Sequence, residues 1–200
     1  MNVLIVLGSP RKGGNSEVLA RQVGMEIQKA GGSVDYLRLN GMNIGPCQGC
    51  GGCEKTGVCV FKDDMTDLYT RVDVADILIL ASPVYFYNVT GQTKLFIDRF
   101  QAKWSRRYLQ KNLYREDEGR RGYFIATAAT RGEKMFQCCS FTVKYFFDAI
   151  NMEFDYEDSL LINGVDGKGA ILEKESYLRE AEAFGQKIVK RQRENVRKML

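Results

Sequence analysis

A doubly wound α/β domain built on a parallel sheet is the fold class this sequence predicts. Three observations point to it. Strand-like apolar runs alternate five times with helical patterns, the arrangement that covers both faces of one sheet with helices. The first, third and fourth runs are nearly continuous apolar stretches, as strands buried on both faces require. The chain has 200 residues, 44% hydrophobic and 27% charged, enough to bury such a core without staples.

The elements follow in order. Residues 2–9, NVLIVLGS, form the first predicted strand. A helix spans Ser16–Lys29, opened by Asn15 as N-cap and stopped by Gly31 and Gly32. SVDYLRL, 33–39, is the second strand. Residues 40–63 are glycine-rich and carry four cysteines, and a connection of that length is usually functional. A short helix spans Asp64–Val74, capped by Asp63 and Asp64. DILILASPVY, 76–85, is the third strand, and a long helix spans Thr90–Tyr108. The polar stretch 109–121 reads as a surface excursion. YFIATAAT, 123–130, is the fourth strand, followed by a helix over Lys134–Asn151. A weaker strand over 152–162 and a helix from Ser176 to about Arg197 complete the pattern. Right-handed crossovers then give a flavodoxin-like, five-stranded parallel sheet of order 2-1-3-4-5 with a cysteine-rich loop after strand 2. All 200 residues read as one domain, with the insertion at about 40–63 and a basic helix at about 176–200.

Composition excludes several classes. Histidine is absent, which removes His-based triads, His-ligated zinc and haem, and HExxH proteases. Proton chemistry must come from a cofactor, Tyr, Lys, Cys or a carboxylate. No apolar run approaches the ~20 residues of a membrane helix, and residues 2–7 are too short for a signal-peptide core. A cytoplasmic protein with no membrane partner is expected. The net charge is +4, but six of the 29 basic side chains and one of the 25 acidic ones fall in the last fourteen residues. The remainder is nearly neutral, which argues against a nucleic-acid-binding core. The basic stretch Lys187–Lys198 reads as a solvated helix end suited to the dipole, with a docking surface for an acidic partner as the alternative.

Strand one runs into Gly8-Ser9-Pro10-Arg11-Lys12-Gly13-Gly14-Asn15-Ser16 and then a helix. Gly14 lets backbone approach a ligand, the helix N-terminus offers free N–H groups, and Ser9, Asn15 and Ser16 add neutral donors. Arg11 adds a bidentate cation. The set suits a terminal phosphate. Neither the Walker A pattern nor GxGxxG is met; a flexible turn with an ordinary N-cap is the plain alternative. Strand three ends in Pro83, Val84, Tyr85, Phe86, Tyr87 and Asn88, beside strand one at the topological switch point. Aromatics at that mouth suit the face of a flat ring; simple packing at a strand end is the alternative. Thr127 and Thr130, at the end of strand four, are expected to form a third wall.

Cys47, Cys50, Cys53 and Cys59 follow C-x2-C-x2-C-x5-C, with glycines at 49, 51, 52 and 57 that let the loop wrap tightly. Soft thiolates select Fe–S, zinc or Cu(I). Zinc ribbons present two separated knuckles, whereas successive x2 spacing is the Fe–S pattern. A [4Fe–4S] cluster is therefore expected, with zinc or no metal as the alternatives; nothing suggests secretion and disulfides. Cys138 and Cys139 are adjacent helical positions on different faces and read as core or half-buried residues. Trp104, with Lys103, Arg106 and Arg107, reads as one packed aromatic on a solvated helix.

GSPRKGGNS, SPVYFYNVTGQTK and the cysteine loop between them resemble the iron–sulfur flavoprotein family, part of the NADPH-dependent FMN reductase group of flavodoxin-like proteins. The resemblance covers roughly residues 1–165. It implies FMN, with its phosphate at Ser9, Arg11, Asn15 and Ser16 and its isoalloxazine along Pro83–Asn88. It also strengthens the cluster reading and implies a homo-oligomer, a dimer or tetramer. The expected function is electron transfer through a [4Fe–4S] cluster to FMN and on to an acceptor, fed by a ferredoxin-like redox partner. One alternative is an NAD(P)H-dependent FMN or quinone reductase whose cysteine loop is structural. The other is a non-enzymatic flavin carrier or redox sensor.

Overall fold

The computed structural model describes residues 1–112, 115, 119–132 and 134–199, with side chains as far as residue 195. Five parallel strands form one sheet in the order β2-β1-β3-β4-β5, as the sequence predicts. They are β1 Asn2–Leu7, β2 Ser33–Arg38, β3 Ile77–Pro83, β4 Arg121–Ala128 and β5 Ser159–Asn163. The helices are α1 Asn15–Lys29, α2 Gly52–Thr56, α3 Met65–Val74, α4 Gly91–Arg99, α5 Gln101–Trp104, α6 Gln137–Ala149 and α7 Glu175–Met199.

Burial explains which strands were easy to read. Central β3 and β4 are almost wholly buried, so their sequences run apolar without alternation. Edge strand β5 alternates, with Leu160 and Ile162 inward. Leu4, Leu78, Leu80 and Phe124 face α3, α4 and α6 in one core, which includes Leu68, Phe96 and Phe147. Val3, Ile5, Ile79 and Ile125 face α1 and α7 in the other, with Leu19, Val23 and Ile188. Among the described residues no helix is long and apolar enough to cross a membrane.

Several boundaries differ from the sequence reading. The expected helix over Thr90–Tyr108 divides into α4, α5 and a π-helical turn, Ser105–Leu109. Ser105 is buried in that turn, facing the cysteine loop, and such turns often mark functional packing. The expected strand over 152–162 shortens to β5 because 156–158 form a 3-10 turn closed by an Asp155–Asp158 capping box. Asp158 is fully buried there and pairs with Arg121 and Arg191. The helix expected from Lys134 starts at Gln137. Within residues 109–121, part of the polar excursion lies outside the described residues, as do the side chains at the end of the basic stretch.

Candidate functional site

The strand ends on the carboxyl side of the sheet are stitched to one another. Gly8 N–H donates to Ala81 O at 2.7 Å, Val84 N–H to Thr127 O at 2.8 Å and Val165 N–H to Ala128 O at 3.1 Å. Thr90, N-cap of α4 and fully buried, donates its hydroxyl to Gly8 O at 2.6 Å. A side chain at Gly8 would not fit: its Cβ would lie 1.9 Å from Thr93 Oγ1. The loops after β1 and β3 are thus one hydrogen-bonded unit.

A cavity of about 90 Å3 opens between them. Ser9, Arg11, Gly14, Asn15, Ser16, Pro83, Val84, Tyr85 and Thr127 line it. Ser9, Asn15 and Ser16 are buried polar residues at the positive end of α1. Gly14, not Asn15, is the N-cap, so no side-chain oxygen caps the first turn. A Cβ on Gly14 would lie 2.9 Å from Ser9 Oγ and 3.1 Å from Arg11 O, closing the cradle. Asn15 is the first helical residue. Its amide donates to Gly167 O at 3.0 Å and accepts from Ile171 N–H at 3.2 Å. That tie brings Val165, Asp166 and Lys168 to the cavity, a wall the sequence reading missed. The glycine-rich stretch Gly164–Gly169 after β5 was the available signal.

Behind the cradle, Glu17 is 2% exposed and accepts from the Gly13 amide at 2.7 Å, from Arg21 Nε at 3.0 Å and from Arg38. Burial alone would raise its pKa. The bonds from Arg38, Gly13 and Arg21 outweigh burial and hold it below the ordinary value of 4.5.

Not every expected residue lines the cavity. Tyr85 does, but Phe86, Tyr87 and Asn88 lie outside it. They form a tight turn in which Tyr85 N–H donates to Asn88 O at 2.8 Å and Asn88 N–H returns to Tyr85 O at 3.0 Å. Phe86 and Tyr87 both have positive φ, 48° and 63°, the pattern of a type I′ turn usually filled by Asn and Gly. Phe86 is wholly exposed. Thr130 is also exposed, with its hydroxyl towards Met135 Sδ at 3.8 Å, so it does not join Thr127 in the wall.

The four loop cysteines line a second cavity, of about 200 Å3, closed by Val60, Phe61, Arg99, Gln101 and Ala102. Gly49, Gly51 and Gly57 take left-handed φ, and the last two bracket α2, a helix the sequence reading did not foresee. Cys53 Sγ lies 3.5 Å from Ser105 Oγ, and Arg99 Nη2 donates to Cys59 Sγ at 3.5 Å. Among the described residues no three Cys, Asp or Glu side chains are close enough to hold one ion. Arg99 Nε is buried with no hydrogen-bond partner, as a group awaiting an acceptor would be. Four soft thiols lining one cavity beside a guanidinium are a donor set of the kind that holds an iron–sulfur centre or zinc.

Asp63 pairs with Arg99 and accepts from Met65 N–H at 3.1 Å, while Asp64 accepts from Asn43 N–H. Asp64 is thus the N-cap of α3 as expected, but without a side-chain cap bond, and the Asp63 carboxylate takes the first helical amide instead. Burial works against the Asp63 charge, but the bonds from Arg99 and the Gly45 and Met65 amides prevail and lower its pKa. Cys139 is buried and Cys138 exposed, on different faces of α6; burial pushes the Cys139 thiol up to about 11. Trp104 donates to the Tyr145 hydroxyl at 2.8 Å, and Lys103 pairs with Asp73.

Residues 1–149 match the NADPH-dependent FMN reductase family. An iron–sulfur flavoprotein of Archaeoglobus fulgidus is 43% identical over 99 residues, 50% of this chain and 45% of that protein. An iron–sulfur flavoprotein of Methanocaldococcus jannaschii is 36% identical over 99 residues, 50% of this chain and 51% of its own. The matched stretch thus spans about half the length of these curated relatives. The solved NAD(P)H:quinone oxidoreductase from Methanothermobacter marburgensis superposes with a TM-score of 0.66 at 15% identity, over 94% of this chain and 96% of its own, a likeness of fold.

Proposed function

We propose that this chain, which belongs to the NADPH-dependent FMN reductase family, binds FMN and acts as a flavin-dependent oxidoreductase with a second redox centre on its cysteine loop. The observation that carries the flavin reading is the buried Ser9–Asn15–Ser16 cradle at the N-terminus of α1, facing Tyr85 across the switch point. When bound, FMN would supply the redox chemistry, taking electrons one or two at a time. The residues here bind and orient it. The Ser9 and Ser16 hydroxyls and the first-turn amides of α1 would meet the phosphate, and Arg11 and Lys168 would neutralise it. The Asn15 side chain is committed to the β5–α7 loop, so it shapes the cradle and would offer the phosphate only its backbone N–H.

The cavity is far below the roughly 300–1,000 Å3 of an enclosing ligand pocket. It suits the phosphate end, and the ring would lie over the exposed Tyr85–Asn88 turn. A second copy of the chain covering that turn is the homo-oligomer we assign. Cys47, Cys50, Cys53 and Cys59 would hold a [4Fe–4S] cluster, which passes single electrons. The phosphate loop is tied to the N-terminal end of α4 through Thr90, and the cysteine cavity is built on its C-terminal end at Arg99. Nine residues of helix, about 13 Å, join them. A ferredoxin-like protein is the donor this arrangement suits; NAD(P)H acting directly on the flavin is the competing route.

Fluorescence titration of apoprotein with FMN tests the flavin site. Arg11→Ala should weaken binding by about 1–3 kcal/mol, the range for a charge-assisted contact. An unchanged dissociation constant would remove Arg11 from the phosphate.

A further inference from the structure

The cysteine cavity has one wall that no thiol supplies. Arg99 closes α4 with its side chain 1% exposed, although a guanidinium stays charged in a protein. Nη1 donates to Gly45 O at 3.0 Å and to Asp63; Nη2 donates to Asp63 Oδ1 at 3.0 Å and to Cys59 Sγ at 3.5 Å. Nε, equally buried, has no partner. Gly45 stands just before Cys47 and Asp63 just after Cys59. A single planar fork therefore pins both ends of the loop and touches one of its sulfurs. Lysine, a point charge with no fork, could not hold all three contacts.

We propose that Arg99 is a positioning residue for the iron–sulfur centre: it donates to the Cys59 thiolate through Nη2, offers Nε–H to a sulfur of the cluster, and thereby raises the centre's reduction potential, which Asp63 moderates by cancelling part of the charge. The inference rests on the four-cysteine cluster reading above. Its physical basis is that reduction adds negative charge to the centre. Hydrogen bonds to the sulfurs and a nearby cation stabilise the reduced form more than the oxidised one. Asp63 accepts both terminal nitrogens of the same fork, so the net charge beside the thiolates is set by the pair.

The pair makes a prediction of opposite signs. Asp63→Asn keeps the side chain's shape and an oxygen for the Met65 amide, but leaves the Arg99 charge uncompensated. In holoprotein reconstituted anaerobically with iron and sulfide, the ratio of reduced to oxidised cluster at a fixed potential should rise about tenfold, about 59 mV for a one-electron couple. Arg99→Lys should lower that ratio by a similar factor, because Cys59 and the cluster lose their donors. EPR-monitored potentiometry reads the cluster, and the flavin absorbance in the same sample should not move. A loop that is only loosened would shift both variants the same way. Shifts of one sign in both, or none in either, overturn the assignment. If Arg99→Lys takes up no iron, the sign of the Asp63→Asn shift decides. Wild-type protein that takes up no iron and sulfide overturns the cluster reading itself.

Discussion

Glu17→Gln removes one charge from a side chain that is 2% exposed and accepts three donors. The amide keeps one oxygen but turns the other acceptor into a donor facing arginines. Breaking a buried ion pair from one side costs about 3–5 kcal/mol. Here the cations are partly solvated, with Arg38 at 26% and Arg21 at 51% exposure, so roughly 2–3 kcal/mol is the expected loss at neutral pH. For a domain of this size that is about 4–12 °C in melting temperature. The pH dependence has a definite sign. The folded-state pKa of Glu17 lies below its ordinary 4.5, so its contribution is complete above that value and disappears as pH falls through the folded pKa. Paired urea melts of both proteins from pH 7 to pH 3 should show the gap narrowing on acidification, while other carboxylates cancel in the difference. A gap that ignores pH, or no gap at pH 7, would refute this account of the cradle.

Cys50→Ala should lose iron and sulfide while FMN still binds, because the phosphate loop and the cysteine loop form separate cavities; loss of FMN as well would make the cysteine loop a structural support of the flavin site. In the same variant, chemical reduction of FMN should survive and ferredoxin-driven reduction should fail, and an undiminished ferredoxin rate would rule out the relay. Phe86→Gly relieves a left-handed aromatic and should stabilise the FMN-free chain by roughly 0.5–1 kcal/mol while weakening FMN, measured by melting and by titration. If stability does not rise, the turn carries no strain.

Hydrophobic patterning made β1, β3 and β4 legible because burial on both faces leaves a continuous apolar signature. The glycine-rich and cysteine-rich loops were legible as cavity walls because glycine and cysteine at that density seldom serve a plain connection. The rest depended on partners distant in sequence. Asp158 looks like part of a polar strand until Arg121 and Arg191 are seen to neutralise it in the interior. Asn15 reads as an N-cap until the loop around Gly167, more than 150 residues away, takes its amide. Arg99 ends an amphipathic pattern and would ordinarily be placed in solvent. Asp166 and Lys168 reach the cavity at the N-terminus of α1 because that same Asn15 bond holds their loop inward.

The cinched neck of the cysteine loop has a consequence for how the molecule responds to oxygen. Among the described residues, neither apolar core draws a member from between Ile44 and Met65. Gly45 and Asp63 meet at one guanidinium, so what lies beyond them forms a closed bight that rests on the 101–110 turns through contacts such as Cys53 to Ser105 and Gln110 to Glu54 O. Such a bight can open and reclose sub-globally while the sheet stays folded. Oxidative loss of whatever the thiols hold would then be damage to a replaceable fitting, one that could be refilled while the sheet and both cores stay folded.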